Sequence, residues 1–374
     1  SQRISEILDQ LGSQVVKNTI LKSIYTYLTK HSAATCKKGA ADSILFANKC
    51  NIDITKPSTH ENETEIGFRI YDVVELIYTF PIYYDIVHGN IVDQDNLEKM
   101  HEVLDAFGIN LDYIMLDSAF SPLSVRNKLV YMDYDFTLRL KVSYTEFKNA
   151  YEKNRDKLIC KENLITIGEG SNKHHIYALK VPCTVGTKPD GSPVEGYILL
   201  CKDVEMSAVE TITLEKGKLD LAHDEFHEEL TATGFFSLAT TKNLPPEKIL
   251  TDYYTRIGIE GFHKIWKNNA GGKVIRLHKE ETIGGHMLLT YIAAFLFTLI
   301  NFRIRSSNAS YINTVSINGR SEKLKQDRND DISKESWTSV LNELKHVKAI
   351  FESGRFILDT PGVSAKKIFH ITDI

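Results

Sequence analysis

Apolar residues recur at helical spacing from the start of the chain, with Ile4, Ile7, Leu8 and Leu11 on one stripe. A second stripe runs through 16–28, so two helices are predicted over 1–34. Over 34–60 the pattern is irregular, made of small residues with one short apolar stretch at 43–47. From Glu65 the signal turns to strand. Residues 68–78 are rich in β-branched and aromatic side chains, 81–87 continue after a short turn, and Gly89-Asn90 ends the run. Residues 93–107 place Leu97, Met100, Val103 and Leu104 on one side of a helix. A strand at 113–116 ends on Asp117; a short helix follows at 122–130, then a strand at 136–140.

This order predicts an α/β protein, a mixed sheet flanked by helices. Residues 142–230 interrupt it with a Lys/Glu-rich helix and short strand-like runs at 175–180 and 196–201, which read as a β-rich insertion. Residues 233–240 return to strand character, and Pro245-Pro246-Glu247 opens a helix, with proline accepted in the first turn. Helical character extends to about residue 353. The expected organisation is an N-terminal helical segment (1–34), a core in two parts (35–141 and 231–305) split by the insertion (142–230), and a C-terminal tail with a helix (306–374).

Of 374 residues, 42% are hydrophobic and 25% charged, which is ordinary globular material able to bury a sizeable core. The longest apolar run, 287–302, falls short of the roughly 18–20 residues of a membrane span and contains Thr290, Thr298 and Asn301. A buried helix is expected there, and no signal peptide is seen. The five cysteines form no C-x-x-C pair, which argues against a zinc ribbon or a disulfide framework and for a reduced, cytoplasmic setting. A net charge of −4 does not favour a nucleic-acid partner as a whole, yet it leaves room for a local basic strip. The chain opens on Ser1 rather than Met, and a further N-terminal piece that reads DNA is expected to precede it.

Such a strip stands at 253–279. Tyr253, Arg256, Glu260 and Lys267 sit at offsets that share one helix face. Glu260 is the only acid there, among Arg256, Lys264, Lys267, Lys273, Arg276 and Lys279. A single carboxylate amid cations suits a metal ligand beside a phosphate backbone. An amphipathic helix with an intrahelical Arg–Glu pair is the plainer reading of those residues taken alone.

The spacing Y-x2-R-x3-E-x6-K resembles the signature of a large group of bacterial insertion-sequence DDE transposases, and all four positions match. Downstream, Arg276-Leu277-His278-Lys279-Glu280-Glu281-Thr282-Ile283-Gly284-Gly285-His286 resembles the family's basic–H–K–E–x–x–I–x–G–H segment; upstream, 234–241 resembles the strand before the glutamate helix. The similarity runs from about residue 40 to 302. It implies a ribonuclease H-like mixed sheet with two aspartates on adjacent strands. Asp117, just past an apolar strand, takes the second position. Asp42 stands at about the family's distance for the first, although the residues before it, Lys37-Lys38-Gly39-Ala40-Ala41, lack an apolar run; Asp53 is the alternative.

The resemblance further implies that Asp42, Asp117 and Glu260 hold two Mg²⁺ (or Mn²⁺) ions and act as the catalytic triad. Hard oxygen ligands suit those metals better than zinc. Tyr253, Arg256, Lys264, Lys267, Arg276 and Lys279 would contact DNA, the partner being transposon ends and target, with a homodimer on paired ends. The implied reactions are nicking followed by strand transfer. A remnant that binds DNA without catalysis, and a ribonuclease H-like nuclease without strand transfer, are the rival readings. Of the other constellations, His223 and His227 at i and i+4 lack the Glu that a zincin motif requires directly after the first His. Adjacent His174 and His175 cannot share a strand face. The turn at 167–172 is no phosphate loop. Trp266 suits either base stacking or the core.

Overall fold

The computed structural model describes residues 2–31, 36–60, 63–90, 96–168, 173–217, 232–269, 275–315, 349–352 and 355–358. These fall in two compact units, 1–294 and 295–374. The first opens with α1 (Gln2–Leu11) and α2 (Gln14–His31), as the two apolar stripes predict. Then come β1 (Lys38–Ala47), β2 (Lys56–His60), β3 (Glu63–Glu75), β4 (Pro81–His88), α3 (Leu97–Phe107), β5 (Tyr113–Leu116), α4 (Leu123–Tyr131) and β6 (Asp135–Leu140).

The order across the sheet is β3-β1-β5-β6, with β4 on the far side of β3. β3 runs antiparallel to β1 and β4, whereas β1, β5 and β6 are parallel neighbours. Three antiparallel strands in sequence followed by two parallel ones is the ribonuclease H-like arrangement. It places β1 at the centre, where Ala40, Ala41 and Phe46 are buried.

β1 is the element that the irregular pattern over 34–60 concealed. Its small residues fit a central strand crowded on both faces: a Cβ on Gly39 would sit 3.1 Å from Leu111 and 3.2 Å from Val73. Strand propensity measures packing against neighbours, and those neighbours are distant in sequence.

The insertion forms α5 (Thr145–Leu158), β7 (Leu164–Ile167), the long hairpin β8 (His174–Thr187) and β9 (Pro193–Asp203), and α6 (Val204–Gly217). Its strands join the core sheet, because β10 (Phe235–Thr240) pairs with β6 on one side and β9 on the other. Arg126 of α4 fastens the hairpin: its guanidinium donates to Val185 O at 3.1 Å and to both oxygens of Glu146 at 2.8 Å.

After β10 come α7 (Pro246–Arg256), α8 (Gly258–Lys264), a π-helical turn at Ile265–Asn269, and α9 (Glu280–Val315), which begins in the first unit and ends in the second. α8 packs on β1. The stretch Glu280–Arg303 has the length and hydropathy of a membrane span, and 61% of its apolar window is buried in the protein. Met287, Leu288 and Tyr291 point into the core, as expected from the polar residues that interrupt the run. Gly285 brings α9 against α1: a Cβ there would lie 2.0 Å from Leu8 O. In the second unit β11 (Ala349–Glu352) stands where helical character was expected to reach about residue 353, and it pairs with β12 (Arg355–Leu358) as a hairpin.

Candidate active site

On the parallel neighbours β1 and β5, Lys38 lies opposite Tyr113, Gly39 opposite Ile114 and Ala40 opposite Met115. Carried two residues further, that register sets Asp42 beside Asp117. The carboxyl end of a parallel strand pair is where open α/β sheets place their chemistry. Asp117 follows β5 directly; its side chain caps a short 3-10 turn by accepting from Ala119 N at 2.8 Å.

Asp42 accepts from Ser43 N at 2.8 Å, and Arg256 Nη1 stands 3.8 Å from its Oδ2. Burial pushes its carboxyl up to about 7, with the Asp117 charge adding to the rise and His263, Ser43 and Arg256 opposing it. Asp53 is placed differently: its side chain is 75% exposed in the turn between β1 and β2 and bonds Lys56 at 3.1 Å.

The expected single face of Tyr253, Arg256, Glu260 and Lys267 is split in the structure. The α-helical hydrogen bonding gives way to tighter bonds at Ile257, whose backbone stays right-handed helical, and changes to π-helical winding at Ile265. Gly258 passes close to the β3–β4 turn, where a Cβ would approach Thr79 Oγ1 to 2.6 Å.

Tyr253 and Arg256 are buried, and Tyr253 stacks on Phe236 with ring centroids 5.8 Å apart. The Arg256 guanidinium lies 5.7 Å from the Tyr253 ring, and its Nε and Nη1 make no hydrogen bond among the described residues. Glu260 is exposed in the first turn of α8. Lys264 is exposed at the end of α8, and the half-buried Lys267 holds its Nζ 5.6 Å from the Phe46 ring.

Arg276 and Lys279 lie in the exposed segment before α9, which a parallel bridge between Asn48 and Ile275 fixes to the end of β1. Lys279 pairs with Asp9 of α1 at 3.5 Å.

The sequence model of the transposase DDE domain family matches residues 52–296, well over half of the chain. The chain belongs to that family.

The match takes in Asp117 and Glu260 and begins after Asp42, so Asp42 rests on the strand register. No curated protein matches this chain. Among solved structures it is similar to a piggyBac transposase synaptic complex with hairpin DNA, at 8% identity and a TM-score of 0.41, covering 79% of this chain and 56% of that one. This chain thus spans little more than half the length of that transposase.

Two residues that the motif reading passed over stand at the same place. His263 of α8 is buried and bonds the fully buried Asp72 of β3, Nε2 to Oδ1, at 2.7 Å. Asp72 is the direct cross-strand partner of Asp42. The signal was present in the sequence, since an acid interrupting Ile70-Tyr71-Asp72-Val73-Val74 needs a buried partner.

Trp266 belongs to the core. It is fully buried among Phe46, Tyr84, Phe262 and Tyr291, and its indole N–H donates to Thr290 Oγ1 at 2.9 Å. His223 and His227 lie outside the described residues.

Among the described residues it is His174, Asp203 and Glu205, and not Asp42, Asp117 and Glu260, that bring three ligand atoms within 4.8 Å of one another. The Asp203 oxygens there are already engaged: Oδ2 by His174 Nδ1 at 2.8 Å and Tyr254 OH at 2.5 Å, Oδ1 by Met206 N at 2.9 Å. The cluster ties α7 to the ends of β8 and β9 by hydrogen bonds.

Proposed function

We propose that this transposase cuts DNA at the ends of an insertion sequence and joins them to target DNA, with Asp42, Asp117 and Glu260 as its catalytic carboxylates. The observation that carries the reading is the register that sets Asp42 beside Asp117 on adjacent parallel strands.

The donor set suits divalent cations. Asp42, pushed up to about 7 by burial with the Asp117 charge adding to the rise, is a group whose charge a nearby cation would stabilise. Asp42, Asp117 and Glu260 would hold Mg²⁺ or Mn²⁺ by resemblance to the family. Such ions, when bound, activate the attacking oxygen and stabilise the leaving one.

The protein's own part is placement. The sheet fixes Asp42 and Asp117 rigidly, whereas Glu260 arrives from solvent on a short helix that begins at Gly258. Arg256 and Tyr253 on α7, with Lys264, Lys267, Arg276 and Lys279 further on, would meet phosphates. Arg256 has spare N–H groups and stands beside Asp42, so a phosphate drawn to it would lie next to the carboxylates. Lys279 would have to exchange Asp9 for DNA.

The test is incubation of the protein with Mg²⁺ and plasmid DNA carrying its own terminal repeats, followed by product analysis. Nicked ends and joined strands with the parent, and neither with Asp117→Asn, are expected. Nicks without joined strands would indicate a nuclease. Binding without any cleavage by the parent would indicate a remnant that has lost its chemistry.

A further inference from the structure

β6 is buried at Phe136, Thr137, Leu138 and Leu140, and a half-buried Arg139 interrupts that run. The strand is flanked by β5 on one side and β10 on the other, so this cation stands inside the sheet rather than at its edge. Residues 113–116 of β5 run in parallel register with 135–138 of β6. Carried one residue further, that register sets Arg139 beside Asp117, just as the β1–β5 register sets Asp42 on the other side of it. Three neighbouring strands thus present Asp42, Asp117 and Arg139 in one row, at a strand spacing of about 4.8 Å.

Contacts outside the strand ladder agree that this row faces α7. The Arg139 guanidinium lies 5.6 Å from the Phe236 ring, and Phe236 stacks on Tyr253 of α7. One turn further along the same helix, Arg256 comes within 3.8 Å of Asp42. No hydrogen bond or ion pair of the Arg139 guanidinium is found among the described residues. Asp117 spends Oδ1 on Ala119 N instead. Arg256, 8% exposed, is short of partners in the same way, with Nε and Nη1 unbonded.

A guanidinium carries five N–H donors in a fixed fork, and removing it from water without acceptors is costly. Here two such forks stand beside the two carboxylates, one at each. The acceptor that suits both is an anion brought to the carboxylates themselves, and the fork matches phosphate oxygens in geometry as well as charge. We propose that Arg139 is a substrate-binding residue of this site: it takes a phosphate of the DNA strand brought to Asp117, as Arg256 does beside Asp42. Phe236 holds the guanidinium by its ring face without neutralising it, which leaves the donors for the ligand. Arg139 lies outside the signature stretch and on a different element. The inference rests on the reading of Asp42 and Asp117 as carboxylates that act on DNA.

The experiment measures binding of the full chain to a duplex carrying its own terminal repeat, in EDTA, over a series of salt concentrations. Each phosphate contact contributes about 0.7–0.9 to the slope of log affinity against log salt. Arg139→Met keeps an apolar stem against Phe236 without the charge, and Arg139→Gln keeps a polar end without it. In both, the slope should become shallower by about 0.7–0.9, and Mg²⁺-dependent nicking should fall, at near-parent resistance to urea. If only one of the two folds, it decides. Parent slope and parent nicking in a folded variant overturn the proposal and leave Arg139 as packing for Phe236. Lowered urea resistance with an unchanged slope, or failure of both variants to fold, overturns it too. In each of these cases a parent that binds and nicks the duplex keeps the transposase reading. A parent that binds no terminal-repeat DNA overturns that reading and this proposal with it.

Discussion

Tyr254 of α7 donates its hydroxyl to the buried carboxylate of Asp203 at 2.5 Å, joining the helix that carries Tyr253 and Arg256 to the last residue of β9. The insertion is thus bonded to the candidate active site through one residue of the signature stretch that the signature itself does not specify. His174 shares the same carboxylate oxygen and packs tilted against the Tyr254 ring, centroids 4.7 Å apart.

Tyr254→Phe removes that bond and leaves the shape intact. Asp203 keeps His174 and Met206 N as partners, so a loss of about 1–3 kcal/mol is expected rather than collapse. Urea denaturation measures it. Strand cleavage should fall along with stability, because α7 loses its tie to the sheet; a variant with parent stability would show that the bond carries no weight.

Asp42→Asn should make the metal-free protein more stable at neutral pH. The folded carboxyl is pushed up to about 7 against an ordinary value of 3.8, so between those values the folded state holds a proton that the unfolded chain has released. Stability from this group therefore falls as pH rises from about 4 to 7 and stays lost above. The gap corresponds to at most about 4 kcal/mol. Denaturation in EDTA at pH 8 should favour the variant, and the difference should vanish below pH 4. Equal stability at pH 8 would mean that Asp42 is not held in this buried, acid-paired setting.

Trp266→Ala should cost about 3–5 kcal/mol, as for other large aromatics removed from a core. Trp266→Phe, which loses the bond to Thr290 but keeps most of the ring packing against Tyr84 and Tyr291, should cost much less. Neither change should alter DNA affinity in the folded fraction. A Trp266→Phe variant with parent stability and weakened DNA binding would restore the base-stacking role.

What the sequence revealed and what it hid divide along physical lines. The strands β3, β4, β5 and β6 announce themselves by β-branched and aromatic runs, and Pro245-Pro246 marks the start of α7. β1 does not, because Gly39, Ala40 and Ala41 were shaped by the neighbours on either side rather than by local propensity. Asp42 could be counted to, yet only the β1–β5 register places it beside Asp117. The face shared by Tyr253 and Glu260 assumed one unbroken helix, and Gly258 against Thr79 is a contact that no periodicity contains. The pairing of His263 with Asp72 spans 191 residues and was invisible for the same reason.

Gly285→Ala should dislodge α1. The glycine belongs to the Ile283-Gly284-Gly285-His286 stretch, and its role is close approach: the added Cβ would meet Leu8 O at 2.0 Å, a backbone atom that cannot swing aside. A cost of about 1–3 kcal/mol is expected from the enforced shift. Hydrogen exchange should show α1 losing protection first. Loss confined to the sheet, with α1 still protected, would contradict this packing.

Glu260→Gln separates chemistry from architecture most cleanly. Glu260 is exposed, so its change should leave stability within about 0.5 kcal/mol, the usual range for surface substitutions. DNA affinity should hold or rise slightly, because a negative charge among Arg256, Lys264 and Lys267 is removed. Cleavage, by contrast, should fall to background if Glu260 completes the carboxylate set. Parallel measurement of unfolding, end binding and Mg²⁺-dependent nicking distinguishes the roles. Retained nicking would remove Glu260 from the catalytic set and leave Asp42 and Asp117 in need of another third ligand.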